Sequence, residues 1–328
     1  MLKPVLGALV VLMLTASLEA ATWSEPWHRE VVAKADAFGL YEVVGPSASR
    51  VVLKKVRHLA GSDTGATVEI DGFYAGELLS GSSINGVSTT GSTVRLKGAG
   101  TRYYLFLKKA PSGSTWRLAT ETAGFAEVRS DGKVGATFRI SLHQALIDQA
   151  TYELAQTCIF RKLHGETCSP EVSEFIQTQL SAAPGSLSSD ATPDQVDRFF
   201  TQHAALETAY LIAYSVDLGT LAKFLQDPVF HAQISAVRAL SASVSKERNT
   251  TLMAFIADDS RAMLARVFAV LMLREVGARE LKNEITAYIP KAPTTGVGLG
   301  IEIMDPRIGT PFPGNVKVAL EALVAEWK

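Results

Sequence analysis

Histidine is the side chain in this sequence with the widest range of possible chemistry, because its imidazole can bind a metal or exchange protons near neutral pH. None of the histidines shows the H-x-x-x-H or H-E-x-x-H spacing that places metal ligands on one helical face. We therefore expect no metal site and no cofactor, and polar-surface or structural roles for those that fall in helical segments. The six positions are His28, His58, His143, His164, His203 and His231.

A second candidate is the tripeptide Asp-Thr-Gly at residues 63–65. Aspartic proteases use such a turn to bring two carboxylates together so that they share a proton. This chain has no second copy, and Gly61-Ser62 precedes the tripeptide where that family has apolar strand residues. Asp, Thr and Gly all favour turns, so the sequence predicts a polar hairpin turn here and no catalytic residues in the chain.

The sequence contains only two cysteines, Cys158 and Cys168, ten positions apart. In an exported chain this spacing favours one disulfide that closes a small loop. Two alternatives stay open: free buried thiols, and a Cys/His metal site that also uses His164. The metal site would have three ligands and would lack the paired motifs of structural zinc.

The N-terminal segment is typical of an export signal. Lys3 is followed by the apolar run "PVLGALVVLMLTASL", and Ala20 or Ala21 offers a cleavage point. The run is shorter than the roughly 20 residues that span a bilayer comfortably. We therefore expect residues 1–20 to be a signal peptide, although an uncleaved anchor is an alternative. The mature protein would then be secreted or periplasmic, with no integral membrane segment.

Charge and length favour two domains. The chain has 328 residues, 47% of them hydrophobic, and a formal net charge of −1, which argues against a nucleic-acid partner. Residues 29–139 carry 15 Lys and Arg against 10 Asp and Glu, whereas residues 140–328 carry 16 against 21. These two regions differ in the sign of their charge, at +5 and −5, so they could attract each other.

Residues 29–140 predict a small all-β barrel or sandwich. Short runs rich in β-branched and aromatic residues alternate with glycine- and serine-rich turns. "VVAKADAFGLYEV" leads to "VVLKKVRHLAG", and "YYLFLKK" later precedes "WRLATETAGFAEVRSDGKV". This order of runs resembles OB-like modules of exported proteins, and the resemblance implies a binding module whose ligand is unspecified.

Residues 141–191 predict a helical linker region that contains the candidate disulfide. "SLHQ" is typical of a capping box, with Ser141 at the N-cap and Gln144 three residues later. The first helix is expected to run on from this box, with His143 on its polar surface.

Residues 192–328 predict helical repeats. "TLAKFLQD" at 220–227 returns as "TLMAFIAD" at 251–258 and, more loosely, as "EITAYIPK" at 284–291. Each octet has apolar residues at i, i+3 and i+4, follows another helix-like stretch, and in two cases ends in an aspartate suited to start the next turn. This layout resembles HEAT or armadillo-type α-solenoid repeats, which implies a protein-binding surface.

A glycine- and proline-rich segment at 290–314 interrupts these repeats before the last helix. Its "GVGLG" lacks the strand–turn–helix context of a nucleotide site. Because long connections in compact domains are often functional, we expect its charged residues Glu302, Asp305 and Arg307 to contact a ligand or the β domain.

The sequence as a whole predicts an α+β two-domain protein with an OB-like N-terminal β domain and an all-α, HEAT-like C-terminal domain. The expected function is that of an exported, non-enzymatic interaction or scaffold protein whose partner is another protein. The alternative is a hydrolase or other enzyme with a site between the two domains, where pockets often form.

Overall fold

The computed structural model describes residues 26–46, 50–71, 99–111, 115–120, 123–139, 143–297 and 313–327. A β-barrel region comes first and a helical region follows, so the predicted α+β organisation is confirmed at this level. The predicted signal peptide lies outside the described residues, and the domain boundaries stay a prediction.

The described residues contain eight strands in one sheet. They are β1 (Ala37–Pro46), β2 (Arg50–Gly61), β3 (Thr67–Asp71), β4 (Arg102–Lys109), β5 (Trp116–Leu118), β6 (Phe125–Val128), β7 (Lys133–Thr137) and β8 (Gln144–Asp148).

Five of these strands close into a barrel in the order β1-β2-β3-β5-β4, because β4 also pairs with β1. The β3–β5 pair is parallel, with Ile70 opposite Trp116, and the neighbouring pairs are antiparallel. This arrangement is loosely consistent with the predicted OB-like module. The remaining strands, β6, β7 and β8, extend the sheet from β4.

The barrel strands β1 and β4 bury residues on both of their faces. Tyr41, Leu53 and Leu105 belong to the barrel interior. On the outer face Phe38 stacks on Phe106 with ring centroids 4.4 Å apart, and both pack against the first helices. The sheet therefore carries a second apolar layer that faces the helical region.

The last strand, β8, corrects the prediction of a helix from Ser141. Ala145 and Ile147 are buried while Gln144 and Asp148 are exposed, which is the alternation of a strand with one covered face. The helix begins only at Gln149, where the Asp148 carboxylate caps it by accepting the backbone N–H of Thr151 at 2.8 Å. Ser141 lies outside the described residues.

The helices within the described residues are α1 (His28–Ala33), α2 (Gln149–Leu163), α3 (Pro170–Ser181), α4 (Pro193–Leu211), α5 (Leu218–Leu225), α6 (Phe230–Ser241), α7 (Arg248–Ala257), α8 (Met263–Val276), α9 (Lys282–Tyr288) and α10 (Val316–Glu326). Two 3₁₀ turns, Arg279–Leu281 and Ile289–Lys291, flank α9. None of these helices is both long and apolar enough to span a lipid bilayer.

From α4 onward, long and short helices alternate. The long helices lie side by side in the order α4, α6, α8 and α10, while α5, α7 and α9 come between them along the chain. The repeated octets fall in the short helices, and their apolar positions, such as Leu221, Phe224 and Leu252, are buried. The octet aspartates start the next turns, where Asp227 accepts the N–H of Val229 at 2.8 Å and Asp258 accepts that of Ser260 at 2.9 Å. Neither side chain caps the following helix, α6 or α8.

Two further features fix the helices that precede this array. Cys158 and Cys168 form the predicted disulfide, with Cα atoms 4.8 Å apart, which ties α2 to the segment before α3. Gly185, between α3 and α4, lies so close to α4 that a Cβ atom would sit 2.1 Å from the Phe199 backbone nitrogen. A continuous apolar core then runs from Val31 in α1 to Trp327 after α10, so sheet and helices pack against each other.

Candidate functional site

A group of polar and charged side chains lies where the sheet extension meets α4 and α6. We call it the interface cluster, and it consists of Arg139, His143, His203, Glu207, His231, Ser235 and Arg238.

Local structure explains how these residues meet. Arg139 follows β7 by two residues, and His143 directly precedes β8. On α4 the histidine and the glutamate are four residues apart, and on α6 the three members have the spacing i, i+4, i+7. Both spacings place side chains on one helical face. The cluster therefore forms because β8 packs on α4 and α4 packs on α6.

Glu207 is the negative centre of the cluster and has no solvent exposure. Its carboxylate accepts hydrogen bonds from Ser235 Oγ and from Arg238 Nε, each at 2.8 Å. The Nε atom of Arg139 lies 3.3 Å from the same carboxylate. One buried carboxylate thus faces two buried guanidinium groups, which leaves this trio with a net charge of +1 when all are ionised.

The pKa values of the two arginines reflect this arrangement. Burial lowers the pKa of Arg139 to about 9, although Glu207 partly opposes the shift. Burial also works against the charged form of Arg238, but Glu207, Tyr210 and Glu275 together outweigh it and the pKa lies above its usual value. Both guanidinium groups are therefore charged at neutral pH.

A hydrogen-bond chain connects Glu207 to Arg139 through the imidazoles. His203 Nδ1 lies 2.9 Å from Ser235 Oγ, His203 Nε2 lies 2.6 Å from His143 Nε2, and His143 Nδ1 lies 2.8 Å from Arg139 Nη2. His231 Nδ1 lies 3.4 Å from the same Nη2 atom. The chain runs through three elements of the fold.

The positions of the protons follow from the two ends of this chain. The Glu207 carboxylate only accepts, so Ser235 donates to it and accepts from His203 Nδ1–H. His203 Nε2 is then an acceptor, and His143 Nε2–H donates to it. His143 Nδ1 consequently accepts from Arg139, which only donates. The chain from Glu207 to His143 is then satisfied with neutral imidazoles, whereas Arg139 Nη2 also lies 2.5 Å from His143 Nε2 and the buried Arg139 Nε has no hydrogen-bond partner.

The surroundings favour the neutral imidazoles. Burial, followed by the charge of Arg139, holds the pKa values of His143 and His203 well below their usual range. The same two causes lower the pKa of His231 to about 3. At neutral pH the three histidines therefore carry no charge.

A bound cation does not fit this arrangement, although potential ligand atoms of His143, His203 and Glu207 lie within 4.8 Å of one another. The charges of Arg139 and Arg238 would repel a cation. Both ring nitrogens of His143 also lie against Arg139 Nη2, at 2.8 and 2.5 Å, so the arginine competes with a metal for this imidazole.

Acyl-transfer catalysis does not fit either, although Ser235, His203 and Glu207 are the residue types of a hydrolase triad. In a triad the histidine accepts the serine proton while the carboxylate holds the histidine. Here the Ser235 hydroxyl donates to the carboxylate and accepts from the imidazole, and the serine has no solvent exposure. The order of contacts is thus wrong for a nucleophile.

Aromatic rings enclose the two arginines of the cluster. Arg238 lies over the Tyr210 ring at 4.0 Å, and Arg139 lies 5.6 Å from the Phe268 ring centroid. The Tyr210 hydroxyl donates to Glu275 at 2.7 Å, and burial raises its pKa to about 12. These contacts connect α4 and α6 with α8.

A buried histidine of α1 lies beside the cluster. His28 Nε2 hydrogen-bonds to Gln156 Oε1 at 2.7 Å, and its backbone N–H donates to the Arg139 carbonyl. Burial lowers the pKa of His28 to about 4. This imidazole, like those of the cluster, is neutral at pH 7 and lies between the sheet and the helices.

A second candidate site is an open groove of about 580 Å³ between the end of β2 and the end of α2. It is more accessible than the interface cluster. The His164 ring stacks on Phe160 at 4.1 Å, and its two nitrogens lie 2.8 and 2.9 Å from the carbonyl oxygens of Phe160 and Ala35. The lining residues are Asp36, His58, Leu59, Ala60, Gly61, Ser62, Phe160, Arg161, His164 and Glu166.

The disulfide shapes this groove. Its wall from Phe160 to Glu166 lies within the loop that Cys158 and Cys168 close. The bond also decides between the cysteine alternatives: both sulfurs are engaged, so they are neither free thiols nor metal ligands with His164.

The other sequence-predicted site residues are three charged residues of the 290–314 segment and Asp63. Glu302, Asp305 and Arg307 lie outside the described residues, as does most of the 290–314 segment. Asp63 forms the predicted turn, because its carboxylate accepts the Gly65 N–H at 2.9 Å.

The interface cluster itself was missed, and the prediction that His143 lies on a helix surface was wrong. His203 and His231 do have structural roles, as expected. One signal was available, because polar residues recur at i, i+4 and i+7 on the otherwise apolar α6. That signal indicates a polar contact between elements, but it does not identify the contacting element.

No family model, no curated protein and no solved structure matches this chain.

Proposed function

We propose that this protein is an exported, non-enzymatic interaction protein in which an OB-like barrel and a HEAT-like helical array form one body that binds another protein. The observation that carries the proposal is the interface cluster. Its chemistry-bearing side chains satisfy one another inside the junction between sheet and helices, which suits a structural connection better than catalysis.

The helical array supports the binding role. Its long helices form one layer, and the short octet helices alternate with them, as in stacked helical repeats. Such stacking creates extended surfaces that bind other proteins.

The groove between β2 and α2 is the proposed contact site for the partner. Its volume of about 580 Å³ is enough for a few residues of a polypeptide. Its lining mixes the acidic Asp36 and Glu166 with the basic Arg161, which suits a polar polypeptide segment that carries both signs of charge.

Export is supported by the disulfide between Cys158 and Cys168, because such bonds persist mainly in oxidising compartments. A secreted or periplasmic location follows as part of the proposal.

The test is affinity purification from the native compartment, followed by calorimetry with the purified partner. We expect Arg161→Glu to weaken binding at least tenfold, because it reverses a charge in the groove. Lys246→Glu makes the same charge change at an exposed position after α6 and should leave affinity unchanged.

Two results would contradict the proposal. One is equal affinity of the Arg161 and Lys246 variants for every partner recovered. The other is turnover in a broad hydrolase screen that is lost in Ser235→Ala, which would favour the enzymatic alternative.

A further inference from the structure

We propose that the interface cluster is a pH-sensitive lock, closed by neutral imidazoles at neutral pH and opened when acid protonates them, so that the sheet extension separates from α4 and α6. The inference concerns regulation of the fold and does not depend on the proposed function or on the identity of a partner.

In this geometry each imidazole accepts a hydrogen bond from an N–H group that has no lone pair to offer in return. Both ring nitrogens of His143 face Arg139 Nη2, Nδ1 at 2.8 Å and Nε2 at 2.5 Å, and His231 Nδ1 faces the same atom at 3.4 Å. His203 Nε2 accepts the proton of His143 Nε2 at 2.6 Å. Protonating any of these acceptors places two donors against each other, and the hydrogen bond becomes a repulsive contact.

The charges around the cluster offer little compensation. Arg139 after β7, Glu207 on α4 and Arg238 on α6 sum to +1, so three added protons would bring the group to +4. From α8, Glu275 acts on Arg238 of the cluster, but it is hydrogen-bonded to Tyr210 and already paired with Arg29 of α1.

One further acid lies near His203. Asp227 shares with it a small cavity of about 10 Å³, which has room for about one water molecule. Burial raises the pKa of Asp227, so this carboxyl resists ionisation and is a poor counter-charge. His28 from α1 would add another proton at the same junction.

The position of the lock determines what would open. Arg139 and His143 lie in the segment between β7 and β8, whereas their partners lie on α4 and α6. The barrel has its own interior of Tyr41, Leu53 and other residues, none of which belongs to the cluster. Acid should therefore loosen the β8–α4 contact while the barrel strands stay protected.

The pKa shift of His231 gives the size of the expected effect of acid on the open state. The pKa of His231 is about 3 in the folded protein and 6.5 without burial. Lowering the pH from neutral to 5 therefore raises the ratio of open to closed protein on the order of 30-fold through this histidine alone.

Amide hydrogen exchange of the full chain, corrected for the intrinsic pH dependence, tests the lock at pH 7.5 and pH 5.0. We expect protection of residues 144–148 and 199–207 to fall at least tenfold at pH 5.0, while β2 and β3 change less than twofold. Those two strands serve as the internal reference for global unfolding.

Two variants separate the lock from general acid sensitivity. His231→Phe removes one titrating ring and leaves the chain from Arg139 to Glu207 intact, so the fall in protection at pH 5.0 should become smaller by up to about 30-fold, the share of this ring. His58→Gln removes an exposed imidazole outside the interface cluster and should leave the pH dependence of amide protection unchanged.

Three outcomes would overturn the proposal: protection that is independent of pH, protection lost equally in β2 and β3, or an equal effect of the His58 and His231 substitutions. Because His231 is at the edge of the cluster, its variant should fold, and the test does not require the triple histidine variant.

Discussion

Replacing Glu207 by glutamine tests the charge balance on which the junction between sheet and helices depends. The side chain keeps its shape, but the fully buried site loses the only negative charge of the interface cluster. Arg139 and Arg238 are then left without a counter-charge, and the new amide NH₂ group must face one of their donors.

Breaking a buried ion pair by removing one partner costs about 3–5 kcal/mol, because the remaining charge stays buried without compensation. Two arginines depend on this carboxylate, so we expect Glu207→Gln to lie in the upper part of that range. A loss of this size is a large fraction of the roughly 5–15 kcal/mol that stabilises an ordinary protein. Urea unfolding followed by circular dichroism measures it, with an unchanged m-value as the check on two-state behaviour.

Glu275→Gln is the matched control. This glutamate also binds an arginine and a tyrosine, but its side chain is 37% exposed. An exposed pair is worth about 0.2–1 kcal/mol, so the control should cost less than about 1 kcal/mol.

A double variant examines the mechanism. If Glu207 acts by balancing charge, Glu207→Gln combined with Arg238→Met should be less destabilising than the two single costs added together, by at least about 1 kcal/mol. A Glu207→Gln cost no larger than that of Glu275→Gln, or strictly additive effects, would refute the reasoning.

Three further predictions concern other parts of the fold. Replacing Cys158 and Cys168 together by serine should lower the free energy of unfolding by about 2.7 kcal/mol, which is the entropic cost of closing a loop of about ten residues. Urea titrations of the reduced and the oxidised protein measure the same difference, and an unchanged unfolding midpoint would argue against it. Gly185→Ala should cost about 1–3 kcal/mol, because the new methyl group overlaps the Phe199 backbone, and thermal unfolding with no shift in midpoint would contradict that contact. His28→Asn should make the stability of the protein less sensitive to acid. The pKa of His28 is about 4 in the folded protein and 6.5 in the unfolded chain, so the unfolded state binds more protons below pH 6.5 and the parent loses about 2 kcal/mol of stability as the pH falls to 5. An equal pH dependence of stability in variant and parent would count against this.

The helical array could be predicted from the sequence because its signals are local. The spacing of Leu221, Phe224 and Leu225 defines one apolar face, and these residues are buried in α5. Asp227 and Asp258 end their octets and accept backbone N–H groups of the next turns. Each of these inferences needs only residues within one or two helical turns of one another.

The strand β8 shows how two local signals can compete. The "SLHQ" pattern favoured a helix from Ser141, whereas Ala145 and Ile147 alternate with polar residues over only five positions. A strand this short is decided by its partner β7, where Val134 pairs with Ile147. Tertiary pairing therefore overrode the capping signal.

The interface cluster could not be predicted from one sequence. His143 contacts a histidine 60 residues later, and Arg139 contacts one 92 residues later. No periodicity connects positions so far apart, and only the packing of β8 on α4 brings them together. The residue types were visible in the sequence, but their proximity was not.

The long sequence separation within the cluster also has a consequence for the order of assembly. The five barrel strands end at Leu118, so the barrel has all its strands while Arg139 still lacks every helical partner. Its guanidinium must remain hydrated until α6 has formed and docked, because burial before then would leave it unpaired. A folding intermediate with a closed barrel and a detached helical array is the expected result, and its exposed apolar sheet face, which includes Phe38 and Phe106, would be a site for chaperone binding or aggregation.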